Sequence, residues 1–197
     1  MLRPCARLAF CGLALLLVSG CSSLLPSPSP GTEPRHFDLG PAYPLPQTVR
    51  PWRIVTHADA RLEDKAMHYR LLYDNPSEVR VYTRARWAQP PASILRQALE
   101  TRLYWSADAA QDHCLLTLGL LRFEQEFTHP GQSRGVLTLR ASLRNDRHIS
   151  DERLFAFTVP APSPDAAGGV AALADATEQL ADALKTWRNA QRANCTQ

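Results

Sequence analysis

The chain has 197 residues, 22 lysines and arginines against 19 aspartates and glutamates, and a formal net charge of +3. That length suits one domain with its own hydrophobic core. The near balance of charge argues against a nucleic-acid-binding class, which needs a strong cationic field.

Arg3 and Arg7 precede an apolar run from Leu8 to Val18. The run has the length of a secretory signal and is too short to span a bilayer. It ends in Val18-Ser19-Gly20-Cys21, small residues before a cysteine, which resembles a lipobox. On that reading residues 1–20 are a signal peptide and Cys21 is the lipid attachment site, with acyl chains such as palmitate. An ordinary signal peptide with an incidental cysteine is the alternative. Pro26, Pro28 and Pro30 argue against a retained helix. Ser22 stands where an aspartate would favour retention at the inner membrane, so the expected place is the outer membrane, facing the periplasm.

Loss of Arg3 and Arg7 with the leader takes the charge to +1. Apart from Lys65 and Lys185 every cation is arginine or histidine. A GC-rich genome explains this, and so does selection for bidentate contacts to carboxylate or phosphate. Of the five cysteines, Cys114 and Cys195 remain unassigned. An oxidising compartment favours a disulfide between them. The alternative is a buried Cys114 and a loose Cys195.

Residues 21–35 are rich in proline and serine and form an extended tether. A globular domain is expected over 36–190, with a tail at 191–197. His36 to Leu39 suggests a short first strand and Trp52 to Thr56 a second, with a loop from His57 to Lys65. Met67 to Tyr73 and Val79 to Ala88 should pair as an antiparallel hairpin across the Asp74-Asn75-Pro76-Ser77 turn. In the second strand Val79, Val81, Thr83, Ala85 and Trp87 should face inward. Arg80, Tyr82, Arg84, Arg86 and Ala88 should face outward. Pro90 and Pro91 suit a helix's first turn. The helix they open carries Ile94, Leu95, Ala98, Leu99 and Leu103 on one stripe and should run to about Tyr104 or Trp105.

After a polar linker, Ser106 to His113, come three strands: Leu115 to Phe127, Val136 to Arg144, and Arg153 to Val159. Gly119 marks a bulge or bend in the first. Asp165 is a good N-cap for a last helix. There Val170, Leu173, Thr177, Leu180, Leu184 and Trp187 form a seam that packs on the sheet or meets a partner. The fold class is α+β: one antiparallel or mixed sheet with two helices covering one face.

The six histidines show no metal-ligand spacing, and no nucleotide fingerprint, P-loop or serine elbow occurs. No cofactor is expected. Glu124 and Glu126 alternate on one strand and could act as paired carboxylates, but such a pair reads first as a solvated strand face. Asp112-His113 beside Cys114 suggests a Cys/His nucleophile only if the cysteine is free. Arg80, Tyr82, Arg84 and Arg86 form the better site: a basic strand face for an acidic protein surface or a phospholipid head group. A solvated face, or a guard against edge pairing, is the plain alternative.

The lipobox, the proline-rich tether and the positions Tyr82, Arg86, Trp87, Ala88, Pro90 and Pro91 together resemble the ABC-type transport auxiliary lipoprotein family. So do Phe123 to Phe127 and Asp165 to Leu173. The resemblance spans about His36 to Arg188. It implies a fold similar to the N-terminal domain of TolB and no enzymatic activity. It also implies a role as auxiliary subunit of an MCE-type ABC lipid transport system, docking an MCE-domain protein at the outer membrane. A TolB-like envelope-assembly lipoprotein outside lipid traffic is the other reading. The last helix's seam leaves room for a homo-oligomer.

Overall fold

Alternation of apolar and polar side chains sets the longer strands of this chain, and helical spacing appears only after the two proline-rich corners. The computed structural model describes residues 33–41, 48–106, 114–145, 148–191 and 195. The leader, Cys21, nearly all of the tether, Asp112-His113 and most of the tail lie outside the described residues. The strands β1 (Arg35–Phe37), β2 (Val49–Pro51), β3 (Ile54–Ala58), β4 (Ala66–Leu71) and β5 (Arg80–Trp87) precede helix α1 (Pro91–Glu100). Then β6 (Tyr104–Ser106), β7 (Leu115–His129), β8 (Gln132–Arg144) and β9 (Ile149–Pro160) lead to helix α2 (Ala166–Ala190).

The α+β class holds. A seven-stranded mixed sheet runs β1-β5-β4-β7-β8-β9, and β3 also pairs with β7. β7 is the axis. Its first half pairs in parallel with β3, its second half in parallel with β4, and nearly its whole length antiparallel with β8. The expected hairpin of β4 and β5 is antiparallel, and β7, β8 and β9 form the expected meander. Both helices cover one face, over a single core that includes Trp87, Leu99, Leu118, Leu139, Leu180 and Trp187.

Some boundaries differ from expectation. β3 continues through His57 and Ala58, so the loop begins later. α1 stops at Glu100, four residues early. Thr101 Oγ1 and Arg102 Nη1 both donate to the Ala98 carbonyl, which ends the helix. Leu103 then drops into the core, and Tyr104–Ser106 pairs with β2 in a small second sheet. Sequence patterning gave no sign of β2 or β6, because each is only three residues long.

Asp165 caps α2 as expected: its side chain accepts from the Gly168 amide at 2.8 Å. That bond holds the Asp165 carboxyl below the usual range. Leu173, Thr177, Leu180, Leu184 and Trp187 are buried and Val170 is half-buried, so the seam packs on this chain's own sheet. Gly168 and Gly169 are packing glycines. A Cβ on Gly168 would strike the Ser163 carbonyl, and one on Gly169 would strike the Gln125 side chain.

Cys114, at the head of β7, and Cys195, beyond α2, are joined by a disulfide with Cα atoms 5.2 Å apart. The bridge closes a sequence separation of 81 residues. A loop of that size corresponds to about 4 kcal/mol in the chain-entropy account. Replacing both cysteines by serine should lower the calorimetric melting temperature clearly while leaving the far-ultraviolet circular dichroism unchanged. An unaltered melting temperature would remove the bridge from the list of stabilising elements.

Candidate functional site

The basic strand face does not survive intact. The β4–β5 register shifts between Ala66 and His68, so that Ala66 lies opposite Arg86 while His68 lies opposite Val81. This bulge changes the phase of β5. Ala85 and Trp87 are buried as expected, but Val81 is 44% exposed and Thr83 and Arg84 both face solvent. Tyr82 turns toward the helices instead of outward. Its hydroxyl donates to Gln125 Oε1 at 2.8 Å and its ring lies 4.7 Å from that of Tyr69. Burial pushes the Tyr82 phenol above its usual pKa, so it stays a neutral donor.

Arg80 is also committed. Its guanidinium reaches Asp74 at 2.6 Å and Glu78 at 2.8 Å. Arg84 and Arg86 remain. Both are exposed, and neither makes a side-chain hydrogen bond or ion pair among the described residues. Arg86 pairs with His36 of β1 and Ala66 of β4 along the ladder. The four-residue face is thus reduced to two arginines without a side-chain partner among the described residues, on the strand that pairs with β1.

Glu124 and Glu126 correct a second expectation. They are not a solvated face: they are 3% and 5% exposed. A register shift between Leu120 and Arg122 turns the second half of β7 over. Phe123 and Gln125 then face the helices, and the two carboxylates share the opposite face with three arginines. Arg70 Nε donates to Glu124 at 3.1 Å, and Arg122 donates to Glu124 at 2.9 and 2.7 Å. Arg122 also bridges to Glu126, which accepts two bonds from Arg134 at 3.0 and 2.9 Å. Burial pushes the Glu126 carboxyl up, but the bonds from Arg122 and Arg134 outweigh it, so its pKa lies below the ordinary value. The result is a saturated ion cluster, and its carboxylates have no role open as a general acid or base. Sequence reading missed it. The available signal was Arg122 two and four residues before the glutamates, with Arg134 just across the turn.

Gln125 lies on the other side of the same strand. It accepts from Tyr82 and donates to Ser133 Oγ at 2.7 Å, and it is 2% exposed. No cluster of three histidine, cysteine, aspartate or glutamate side chains suited to a metal occurs among the described residues. No helix among them is long and apolar enough to cross a membrane.

The fold and its surface define a class: an α+β domain with a buried glutamate–arginine cluster on one face of the sheet and, among the described residues, exposed unpaired arginines that include Arg84 and Arg86. The family model for the ABC-type transport auxiliary lipoprotein component matches residues 58–185, and the chain belongs to that family. A crystal structure of protein XCC0632 from Xanthomonas campestris, described under the family model DUF330, is similar with a TM-score of 0.57 and 21% identity. The match covers 82% of this chain and 88% of that one. The crystal structure of an uncharacterized protein matches with a TM-score of 0.59 at 15% identity, over 77% of this chain and 96% of the other. These likenesses speak to the fold. No curated protein matches the chain.

The Glu126 cluster makes stability depend on pH in one direction. The folded pKa lies below the ordinary 4.5, so its contribution is present above that value and lost as pH falls through the folded pKa. Glu126→Gln should cost about 1–3 kcal/mol at pH 7, because Arg122 and Arg134 keep contact with water. Urea titrations from pH 7 to pH 3 should show the variant and the parent converging in acid. Parallel curves would contradict this assignment.

Proposed function

We propose that the protein is a non-enzymatic auxiliary subunit of an MCE-type ABC lipid transport system. Lipid on Cys21 holds it at the outer membrane, the segment 21–35 gives it reach, and the domain 36–190 meets the MCE-domain protein that crosses the periplasm. Membership in the auxiliary lipoprotein family supports the transport role. The observation that carries the docking role is the pair Arg84 and Arg86, exposed and without a carboxylate among the described residues. Arginine forks of this kind bind carboxylates bidentately, which suits an acidic protein surface. The spent state of Arg80 and Tyr82 narrows the contact to these two positions.

The anchor and the contact are separable. Cys21→Ser should move the protein from the membrane pellet to the soluble periplasmic extract. Persistence in the pellet after a salt wash would count against lipidation at Cys21. With the anchor intact, Arg84→Glu combined with Arg86→Glu should reduce co-purified MCE protein at least about tenfold, equivalent to about 1.4 kcal/mol. Undiminished recovery of the MCE protein would rule out this surface.

A further inference from the structure

At the far end of the sheet from β1 lies β9, which has no strand on its outer side among the described residues. The two edges differ. β1 is three residues long, whereas β9 runs for twelve. Natural edges are guarded by charge, proline or brevity. β9 has such guards at its ends, in Asp151, Glu152, Arg153 and Pro160, but Leu154 to Val159 reads LFAFTV with no charge and no proline.

The ladder fixes which backbone groups are free. The Ala161 amide donates to the Ser133 carbonyl at 2.9 Å, so those residues form a hydrogen-bonded pair. The register then continues unbroken from Arg134 opposite Pro160 to Leu143 opposite Asp151. Antiparallel pairs alternate. Arg153, Phe155, Phe157 and Val159 therefore bond to β8, and Glu152, Leu154, Ala156 and Thr158 point their N–H and C=O groups outward. The complement of such a row is another extended chain.

The side chains fit the same occupant. Between β9 and α2 runs an open groove of about 520 Å³, lined by Phe155, Phe157, Ala183, Thr186 and Trp187, with Arg153 at one end. On the uncovered face Leu154 is 58% exposed. An added strand would send alternate side chains into the groove and alongside Leu154 and Ala156, so both sets would meet apolar surface. The groove's charges are unequal. Asp182 is bonded by Lys185 at 3.2 Å, while Arg153 lies over the Phe155 ring at 5.3 Å and makes no ion pair among the described residues.

We propose that β9 is a docking edge for an extended segment of a partner protein, rich in apolar residues and carrying a carboxylate that faces Arg153. A second copy of this chain is the poorer occupant. The two nearly full-length antiparallel registers that set outward residues of one β9 opposite outward residues of the other place Arg153 opposite Phe155 or Phe157, which leaves the arginine without an acid. The edge is separate from Arg84 and Arg86, which sit on β5 near the other side of the sheet.

The test is selection of a phage-displayed random dodecapeptide library on the full-length protein in detergent. Enriched peptides should alternate apolar residues and contain an acidic one. They should bind at least tenfold more weakly to Ala156→Pro, which removes one outward N–H and no bond to β8. Arg153→Glu, an exposed change that spares the fold, should weaken them comparably and favour peptides with a basic residue in place of the acid. No enrichment, or equal binding by both variants, overturns the proposal. Self-association of the protein that Ala156→Pro abolishes would assign the edge to a second copy and overturn it as well.

Discussion

The Tyr82 hydroxyl bonds to the Gln125 amide, and the same amide bonds to Ser133, so one buried side chain joins β5, β7 and β8. The first turn of α2 rests on it, because only a glycine at 169 leaves room for the Gln125 side chain. A buried amide is costly unless its groups are paired, and here each end has a partner from a different strand. Gln125 can face the helices only because β7 changes phase between Leu120 and Arg122. Tyr82 can meet it only because β5 is bulged opposite β4. The two irregularities act as a matched pair, and the helix layer is seated on their product.

The same phase changes sort the charges. On the reverse side of Gln125, Glu124 and Glu126 are carried to the uncovered face, where Arg70, Arg122 and Arg134 enclose them. The forked geometry explains why arginine serves here: Arg134 places two nitrogens on one Glu126 oxygen, which a lysine could not do. Arg80 is held by the turn before β5. Among the exposed arginines left without an ion pair among the described residues are Arg84 and Arg86 near one edge and Arg153 at the other.

Much of this was legible in the sequence. Period-two runs located β4, β5, β7, β8 and β9. Asp165 and the spacing from Leu173 to Trp187 located α2 and its buried side, and two cysteines in an oxidising compartment foretold the bridge. One part of what the sequence hid traces to the bulge in β5. A bulge inserts a residue without leaving a mark in composition, so Val81 and Tyr82 exchanged faces while the pattern around them still looked continuous. With that phase misread, the arginine face looked larger than it is. The glutamates stand on the expected side of β7, opposite Phe123 and Phe127, and what escaped notice is the three arginines that enclose them. The end of α1 was hidden for another reason. Leu103 continues the helical stripe in spacing, but it reaches the core from a turn, with the residues after it drawn into pairing with β2.

The central claim is that the bulge in β5 leaves positions 84 and 86 for a partner while position 82 belongs to the interior. Photocrosslinking in living cells, with a photoreactive amino acid placed in turn at 82, 84 and 86, tests it most directly. The account predicts one common adduct with the MCE-domain protein from 84 and 86 and none from 82. An adduct from 82 as strong as those from 84 and 86, or no adduct from any of the three, would contradict it.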